Sequence, residues 1–325
     1  MGDGSTMLAY TIRRLLIIVL MLFCACFLVY FCLDMMPGDP LSYMVDQETW
    51  GEMSETQKDA MREALGLNGS LFERFFNWLG GIFKGDFGYS LTSGVPIKKI
   101  ISETLPATLE LSVVALLFSS IVGTFLGIIS ALRKGTISDN VLTVAGLLGM
   151  SVPQFFFGLV SLLLFAINLG WFPIGGRMIA GKETFLERLP HLVLPSIVLG
   201  LFLTAGIMRY SRSSMLDAAN KDFLRTARSK GIPEWKVNIK HGFRVAMNPV
   251  IVLIGLRLPI LIGGSVVIES VFQWPGIGKM FLTAVRGQNY PLVMSIALLM
   301  IMATMISSFL IDLLTAAMDP RVRLS

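Results

Sequence analysis

The chain has 325 residues, of which 54% are hydrophobic and only 15% are charged, and its formal net charge is +5. About a quarter of the residues in an average soluble domain are charged, so this composition excludes that class and predicts an all-α, polytopic membrane protein. The positive charge does not indicate a nucleic-acid partner, because the chain carries no RNA- or DNA-binding motif and its basic residues follow a membrane topology.

Six apolar segments are long enough to cross about 30 Å of hydrocarbon as helices, which takes about 20 residues. They run from residues 15 to 33, 105 to 132, 141 to 170, 189 to 208, 245 to 268 and 290 to 311. Lysines and arginines cluster before the first segment, in residues 209–244 and at the C-terminus. By the positive-inside rule these parts are cytoplasmic, so both termini lie inside and the first segment is an uncleaved span.

Residues that commonly bind metals are few and scattered. Cys24, Cys26 and Cys32 all fall in the first span, and the two histidines, His191 and His241, are far apart in the sequence. The sequence therefore predicts thiols that serve packing, and no metal centre.

Residues 35–102 follow the first span and form a predicted extracytoplasmic helical insertion. Ser54 to Gln57 has the pattern of a capping box, which predicts a helix from there to Gly66. A second helix from Leu71 has one apolar face, which we expect on the membrane surface or on neighbouring spans. The insertion is either a docking surface for another protein or a lid over the bundle.

The second and third spans carry two local signals. Gly123 and Gly127 form a G-x-x-x-G pair, which favours close contact with another helix. Pro153 lies between Ser151 and Gln154 in the third span, and a proline frees backbone groups that need polar partners inside a membrane. We therefore expect a kink there, with Ser151 and Gln154 facing a translocation pathway.

Three ionisable residues fall inside predicted spans or at their edges: Glu110, Arg257 and Asp312. An isolated charge at mid-membrane costs several kcal/mol, so each should face water or a partner. Arg257 is nearest the middle of its span and is predicted to line the pathway, the alternative being a structural ion pair. Glu110 is a further pathway candidate, although Glu110 and Asp312 lie nearer the interfaces, where a role in holding the bundle together is favoured.

The segment between the fourth and fifth spans is basic and helix-competent. Asp222 suits a helix N-terminus, Gly231 suits a left-handed cap, and Pro233 prevents simple continuation before a next helical piece from Glu234. The short helix carries an apolar stripe of Phe223, Leu224 and Ala227. From the residues alone, this segment is a helical hairpin with a partner or an ordinary loop that satisfies the positive-inside bias.

Several motifs add a resemblance that covers nearly the whole chain. Arg225-Thr226-Ala227, followed by Gly231, is similar to the EAA loop of the membrane subunits of ABC importers, in the form seen in permeases for dipeptides, oligopeptides and nickel. Further signatures occur in the family's order: MMPGDP at 35–40, LGLNGS at 65–70, GDFGYS at 85–90, LPATLEL at 105–111 and ESVFQWPGIGKM at 269–280. The general consensus has Glu-Ala-Ala where this chain has Arg-Thr-Ala, a departure that narrows the match to the peptide branch.

The resemblance implies a type I ABC importer permease fold and the function of a peptide importer subunit working by alternating access. It implies a second homologous permease, two cytoplasmic ATPases that bind ATP and Mg, and an extracytoplasmic substrate-binding protein. The expected ATPase-coupling residues are Asp222, Phe223, Leu224, Arg225, Thr226, Ala227, Arg228 and Gly231. The apolar stripe would fill a groove on an ATPase, and Arg225 and Arg228 would contact its rim.

On this basis the chain divides into three parts. Residues 1–34 contain the first span, and residues 35–102 form the insertion. Residues 103–325 form a five-helix core whose coupling loop covers 211–247. The predicted location is a bacterial inner membrane. We expect the chain to bind no cofactor and not to be an enzyme. Gly276-Ile277-Gly278-Lys279 lacks the glycine and the Ser or Thr of a Walker A loop, so ATP hydrolysis is expected on partner subunits.

Alternative functions remain at this stage. Within the family, nickel or a nickel chelate is the nearest alternative substrate. A secondary transporter would need coupling-ion residues at midplane, and an intramembrane enzyme would need a catalytic pair at depth; neither is evident in the sequence.

Overall fold

The computed structural model describes residues 3–36, 41, 45, 47–64, 68–178 and 184–318, and in them the chain is helical. The first half contains α1 (Asp3–Asp34), α2 (Gln47–Glu52), α3 (Glu55–Ala64), α4 (Leu71–Phe83), α5 (Ile97–Leu132), α6 (Ile137–Ser151) and α7 (Gln154–Ser161), which a π-helix (Leu162–Asn168) extends. The second half contains α8 (Phe185–Ala219), α9 (Asp222–Ser229), α10 (Glu234–Lys236), a π-helix (Val237–Gly242), α11 (Phe243–Gly255), α12 (Leu258–Val271), α13 (Ile277–Arg286) and α14 (Tyr290–Met318).

Four of the described helices are long and apolar enough to cross a membrane. They are α5, α8, and the segments Ala9–Asp34 and Tyr290–Leu313 of α1 and α14. The pair formed by α6 and the helix from Gln154 to Asn168 is bent by 101° and makes a fifth if it is one span. The kink expected at Pro153 is thus confirmed, and it is sharp. The predicted count of six spans stays a prediction.

The fifth predicted span, residues 245–268, differs from a single helix. It consists of α11 and α12, which are separated at Leu256 and Arg257. Pro259 lies in the first turn of α12, where a missing backbone N–H costs nothing, so the sequence favours a new helix start there. Arg257 consequently sits at a helix junction and not inside a continuous helix.

The chain divides into two compact units. The first comprises Met1–Pro106 and Gly276–Ile306, and the second comprises Ala107–Pro275 and Ser307–Ser325. These limits differ from the predicted division at residues 34 and 102, which remains a prediction.

In the first unit, α4 packs its apolar face on α1. Phe75 is fully buried, and its ring makes edge contacts with Phe23, Phe27 and Tyr30 at centroid distances of 5.6, 5.3 and 5.5 Å. The predicted start of α4 at Leu71 is confirmed, and part of its apolar face lies on a neighbouring span as expected. For the preceding helix, α3 confirms the predicted start, and its predicted end at Gly66 lies outside the described residues.

The N-terminus of α4 is capped by a reciprocal pair. The Glu73 carboxylate accepts hydrogen bonds from Ser70 N and Oγ at 2.8 and 3.0 Å, and these hydrogen bonds lower the pKa of Glu73. Because a lowered pKa means that the folded state favours the carboxylate, the cap is complete above the usual carboxyl pKa range. It is lost as the pH falls through the lowered pKa.

In the second unit, α8 is the central helix. One buried cluster joins residues of α5, α8 and α12 and includes Trp274, whose Nε1 donates to the Ala107 carbonyl at 2.8 Å. Glu269 is also fully buried and accepts a hydrogen bond from Thr108 Oγ1 at 2.6 Å. Both anchors come from the signature at 269–280, so that motif ties the end of α12 to α5.

The predicted glycine pair of α5 does meet another helix. A Cβ added at Gly127 would lie 2.5 Å from the Met208 carbonyl oxygen, and one at Gly123 would lie 2.9 Å from the Thr204 carbonyl oxygen. Such distances leave no room for any side chain, so α5 and α8 are in direct backbone contact.

Candidate functional site

The predicted coupling loop folds as a helical hairpin at the C-terminal end of α8. Its first helix, α9, begins at Asp222 as expected and ends at Ser229, two residues before the expected limit. Gly231 has φ +74°, the left-handed conformation predicted for it, and its N–H bonds to the Arg228 carbonyl at 2.9 Å. After Pro233 the chain becomes helical again at Glu234, which confirms the predicted turn.

Leu224 has a different position from the one expected. Its side chain is fully buried within this chain, and it packs against Gly242, where a Cβ would lie 3.5 Å from Leu224 Cδ1. The prediction that Leu224 fills a groove on an ATPase therefore does not fit the structure. The apolar stripe is divided: Leu224 faces inward, Ala227 is half-buried, and Phe223 is 42% exposed.

The two arginines of the helix also differ in their surroundings. Arg228 donates from Nε to Glu234 Oε1 at 2.9 Å and from Nη1 to the Ala219 carbonyl at 3.3 Å. It thus braces the hairpin turn, and the predicted contact of Arg228 with a partner would have to compete with these bonds. Arg225 is exposed. Its guanidinium forms one described ion pair, a long one of 3.7 Å with the exposed Asp222 carboxylate, so it remains available to a partner.

Asp222 and Thr226 complete the predicted set. Both are exposed, and Thr226 Oγ1 donates to the Asp222 carbonyl one turn earlier at 3.1 Å. The outer surface of the hairpin therefore carries Asp222, Phe223, Arg225 and Thr226.

Two exposed apolar residues of the loop were not singled out in the sequence. Trp235 is 61% exposed and Ile239 is 60% exposed, and the Lys236 ammonium lies 5.4 Å from the centre of the Trp235 ring. A large aromatic residue two positions after a turn proline was the available signal. Exposed aromatics are enriched where proteins contact each other, so Trp235 extends the candidate surface beyond α9.

The hairpin is attached firmly to the helices on either side. The π-helix from Val237 to Gly242 runs directly into α11, and Ser214 Oγ of α8 donates to the Ala246 carbonyl of α11 at 2.7 Å. A buried cluster that includes Met215, Ala246 and Val250 joins the same two helices. A displacement of the hairpin would therefore act on α8 and α11.

Of the predicted pathway residues, Arg257 has the most unusual position. It lies at the junction of α11 and α12, and its guanidinium reaches Gly206 of α8, where a Cβ would lie 2.9 Å from Nη2. Among the described residues no carboxylate pairs with it, and its Nε is buried without a hydrogen bond. The alternative of an ion pair inside this chain is not observed there.

Glu110, in contrast, is paired. Arg177 donates to its Oε2 from Nε at 2.8 Å and from Nη2 at 2.6 Å, and both side chains are largely buried. Gly176 N bonds to the Phe272 carbonyl at 3.0 Å, and the His191 ring lies 3.2 Å from the Gly175 carbonyl. Glu110 therefore helps to fix the segment around Gly175 to Arg177, in agreement with its expected structural role.

Ser151 and Gln154 flank the bend between α6 and α7. Ser151 Oγ is satisfied locally by the Leu147 carbonyl at 2.9 Å, whereas Gln154 lines a cavity of about 380 Å³ with Phe157 and Met208. The cavity is mostly apolar. Within the described part of the chain, no hydrogen bond joins Arg257, Glu110, Ser151 and Gln154 to one another.

Comparison with known proteins identifies relatives along nearly the whole chain. The family model described as "Binding-protein-dependent transport system inner membrane component" matches residues 123–324, and the model for the N-terminal part of such membrane components matches residues 7–112. The oligopeptide transport system permease protein AppB of Bacillus subtilis is 37% identical over 318 residues, covering 97% of this chain and 99% of the relative.

Two further relatives show the same extent of similarity. The di/tripeptide transport system permease protein DppB of Pseudomonas aeruginosa is 33% identical over an alignment of 341 residues. This alignment covers 98% of this chain and 99% of the relative. The glutathione transport system permease protein GsiC of Escherichia coli is 33% identical over 317 residues, with the same coverage of both chains.

Proposed function

Because this chain belongs to the family of binding-protein-dependent transport system inner membrane components, we propose that it is the permease subunit of an ATP-driven importer of short peptides. The relatives named above act on oligopeptides, di- and tripeptides, and glutathione, which is itself a short peptide. Full-length similarity to these three is the observation that carries the assignment of substrate class.

Membership of the family implies a substrate-binding protein and ATPase partners. This chain would then form half of a translocation pathway, with a second, homologous permease supplying the other half and two ATPase subunits binding ATP and Mg on the cytoplasmic side. ATP hydrolysis belongs to those partners.

The coupling contact is proposed for the hairpin of α9 and α10. Phe223 and Arg225 are exposed on α9 and would contact the ATPase directly, together with Asp222 and Thr226. Trp235 would extend the contact from α10. Leu224 and Arg228 serve coupling indirectly, because they hold the helix against this chain, and Gly231 sets where the helix ends.

The motion of the transport cycle follows from this attachment. Closure of two ATPases around ATP would displace the hairpin, and the junction of the hairpin with α8 and α11 would carry that displacement into the membrane. The pathway would change from inward-open to outward-open, which is alternating access.

The chain is a membrane protein of the bacterial inner membrane. Both termini and the hairpin are proposed to be cytoplasmic, which the clustering of lysine and arginine in residues 209–244 supports. Of the polar residues at depth, Arg257 and Gln154 are proposed to face the pathway, with Ser151 at the bend beside them. Glu110 stabilises the bundle through Arg177.

Reconstitution tests the proposal. The chain would be purified with its second permease and ATPases, placed in proteoliposomes, and supplied with its binding protein and radiolabelled di-, tri- and longer peptides. We expect uptake that needs ATP inside the vesicles, on the side of the membrane that the ATPases face. Uptake should be absent when this chain is omitted. A complex whose ATPase activity is stimulated by a loaded binding protein, but which takes up no peptide of any length, would show that the substrate class is wrong.

A further inference from the structure

One face of α8 is open along the C-terminal half of the helix. Phe202, Gly206, Arg209, Ser213 and Asp217 follow one another at spacings of three or four residues, so they lie on one stripe of the helix. All five are at least partly exposed, and Phe202 is 42% exposed.

The same stripe is closed along the N-terminal half. Pro195 and Leu199 continue the spacing towards the start of α8, and both are buried, with Leu199 only 3% exposed in the cluster shared with α5 and α12. The stripe is therefore an open face of α8 that begins at about the level of Phe202 and leads towards the hairpin at the other end.

The Arg257 guanidinium excludes a surface that only contacts lipid. It rests on Gly206, where the absence of a side chain makes room for it, and Arg257 lies near the middle of a predicted span, whereas Arg209 and Asp217 lie beyond the predicted end of the fourth span at residue 208. Charged side chains inside a membrane face water, a cavity or a partner, because hydrocarbon solvates them poorly. The open part of α8 is consequently a polar wall.

Arg257 stands at the closed end of this wall without an anion. The described residues offer it no carboxylate, and Asp217 is eleven residues from Gly206 on α8, about 16 Å along the helix axis, which is beyond the reach of an arginine side chain. The nearest charge on the stripe is Arg209, one turn from Gly206, which has the same sign. The Arg257 guanidinium thus lies on this open face and pairs with no carboxylate among the described residues, whereas Arg209 donates from Nη1 to Met150 Sδ at 3.7 Å.

We propose that Arg257 binds the terminal carboxylate of the peptide during translocation. This inference rests on the proposed function as a peptide importer. A guanidinium presents parallel N–H donors that match both oxygens of a carboxylate. Every unmodified short peptide carries that group at its C-terminus whatever its side chains, so a site for it accepts many sequences and still orients them. Arg257 is then a residue that determines specificity for a free carboxyl end.

The test compares a peptide with the same peptide amidated at its C-terminus. The pair is chosen so that calorimetry shows the isolated binding protein to hold both forms, and each is supplied at a concentration that saturates it. Uptake into proteoliposomes by the complete complex is measured for the wild type, Arg257→Ala and Arg257→Lys. Arg133→Ala serves as the matched control, because Arg133 is exposed and its described hydrogen bonds involve only its backbone groups.

The wild type should take up the free acid roughly tenfold faster than the amide, since one charge-assisted hydrogen-bonded pair is lost with the amide. Arg257→Ala should bring the ratio close to one by slowing the acid alone, Arg257→Lys should keep part of the preference, and Arg133→Ala should keep all of it. A ratio near one in the wild type, or a ratio unchanged in Arg257→Ala, overturns the inference while peptide uptake still supports the proposed function.

A different outcome identifies a different partner for the arginine. If Arg257→Ala slows both peptide forms equally and the second permease no longer co-purifies, Arg257 pairs with a carboxylate of that permease, and the substrate site is refuted. If the wild-type complex takes up neither form, the proposed function fails, which is distinguishable from both results above.

Discussion

Truncation of Leu224 should separate anchoring of the coupling helix from its contact with a partner. Leu224 is fully buried against the base of the hairpin, so Leu224→Ala removes buried carbon atoms and leaves a cavity next to Gly242. Such truncations cost about 2–5 kcal/mol. A helix of eight residues is marginal on its own, so the cost should appear as loss of attachment of α9 and not as unfolding of the spans.

Hydrogen–deuterium exchange with mass spectrometry measures that attachment. At the lower figure of about 2 kcal/mol, the backbone amides of α9 should open about 30 times more often in Leu224→Ala than in the wild type. Exchange in α8 should change little. Because a loosened hairpin cannot transmit motion, ATPase activity should persist while peptide uptake per ATP falls severalfold.

Phe223→Ala is the matched control in the same helix. Phe223 is 42% exposed and is proposed to contact the ATPase, so its truncation should leave exchange of α9 in the isolated chain unchanged and weaken co-purification of the ATPases. If Leu224→Ala leaves exchange unchanged, or if Phe223→Ala accelerates it equally, the division of the stripe into an anchor and a contact is incorrect.

Three further changes test other parts of the structure. Gly231→Val should reduce peptide uptake, and Gly231→Asn should largely preserve it. The reason is that φ +74° costs a β-branched residue about 1–2 kcal/mol, whereas asparagine tolerates it. Equal uptake in both variants would show that the left-handed cap has no part in the mechanism. Arg177→Ala should lower the melting temperature of the complex by leaving Glu110 unpaired, and adding Glu110→Gln should restore part of it; no rescue would mean that the pair contributes little. In a background without the native cysteines, a cysteine at Asn68 should react with a membrane-impermeant thiol reagent in intact cells and one at Ser229 should not, whereas the reverse pattern would invert the proposed topology.

The hairpin shows which features the sequence determines locally. Asp222, Gly231 and Pro233 specify the start of a helix, its left-handed end and the break after it through interactions within a few residues, and these features were predicted. Burial of Leu224 depends on where α8 and α11 place their inner surfaces. The apolar stripe indicated that one face of the helix is buried. It did not show whether that face is buried against this chain or against a partner.

The junction at Arg257 illustrates a second limit. Residues 245–268 are apolar enough to be read as one span, and a proline does not by itself predict a break, because Pro190, Pro195 and Pro249 lie inside helices of this chain. Pro259 differs because it stands in the first turn after the charged residue, where it favours a new helix start. The charged Arg257 followed by Pro259 was the sequence signal for the break between α11 and α12.

The backbone contact between α5 and α8 has a consequence for how the second unit can change shape. With carbonyl oxygens of α8 lying against Gly123 and Gly127, neither helix can slide or roll on the other without a clash, so the two behave as one strut. We therefore expect bending where the α-helical hydrogen-bond pattern is already interrupted, as at the 101° turn before Gln154 and at the junction beside Arg257. These two places are the expected hinges of the unit. A side chain added at Gly127 would force α5 and α8 apart, whereas a cross-link that spans either hinge would hold the unit in a single conformation and stop transport.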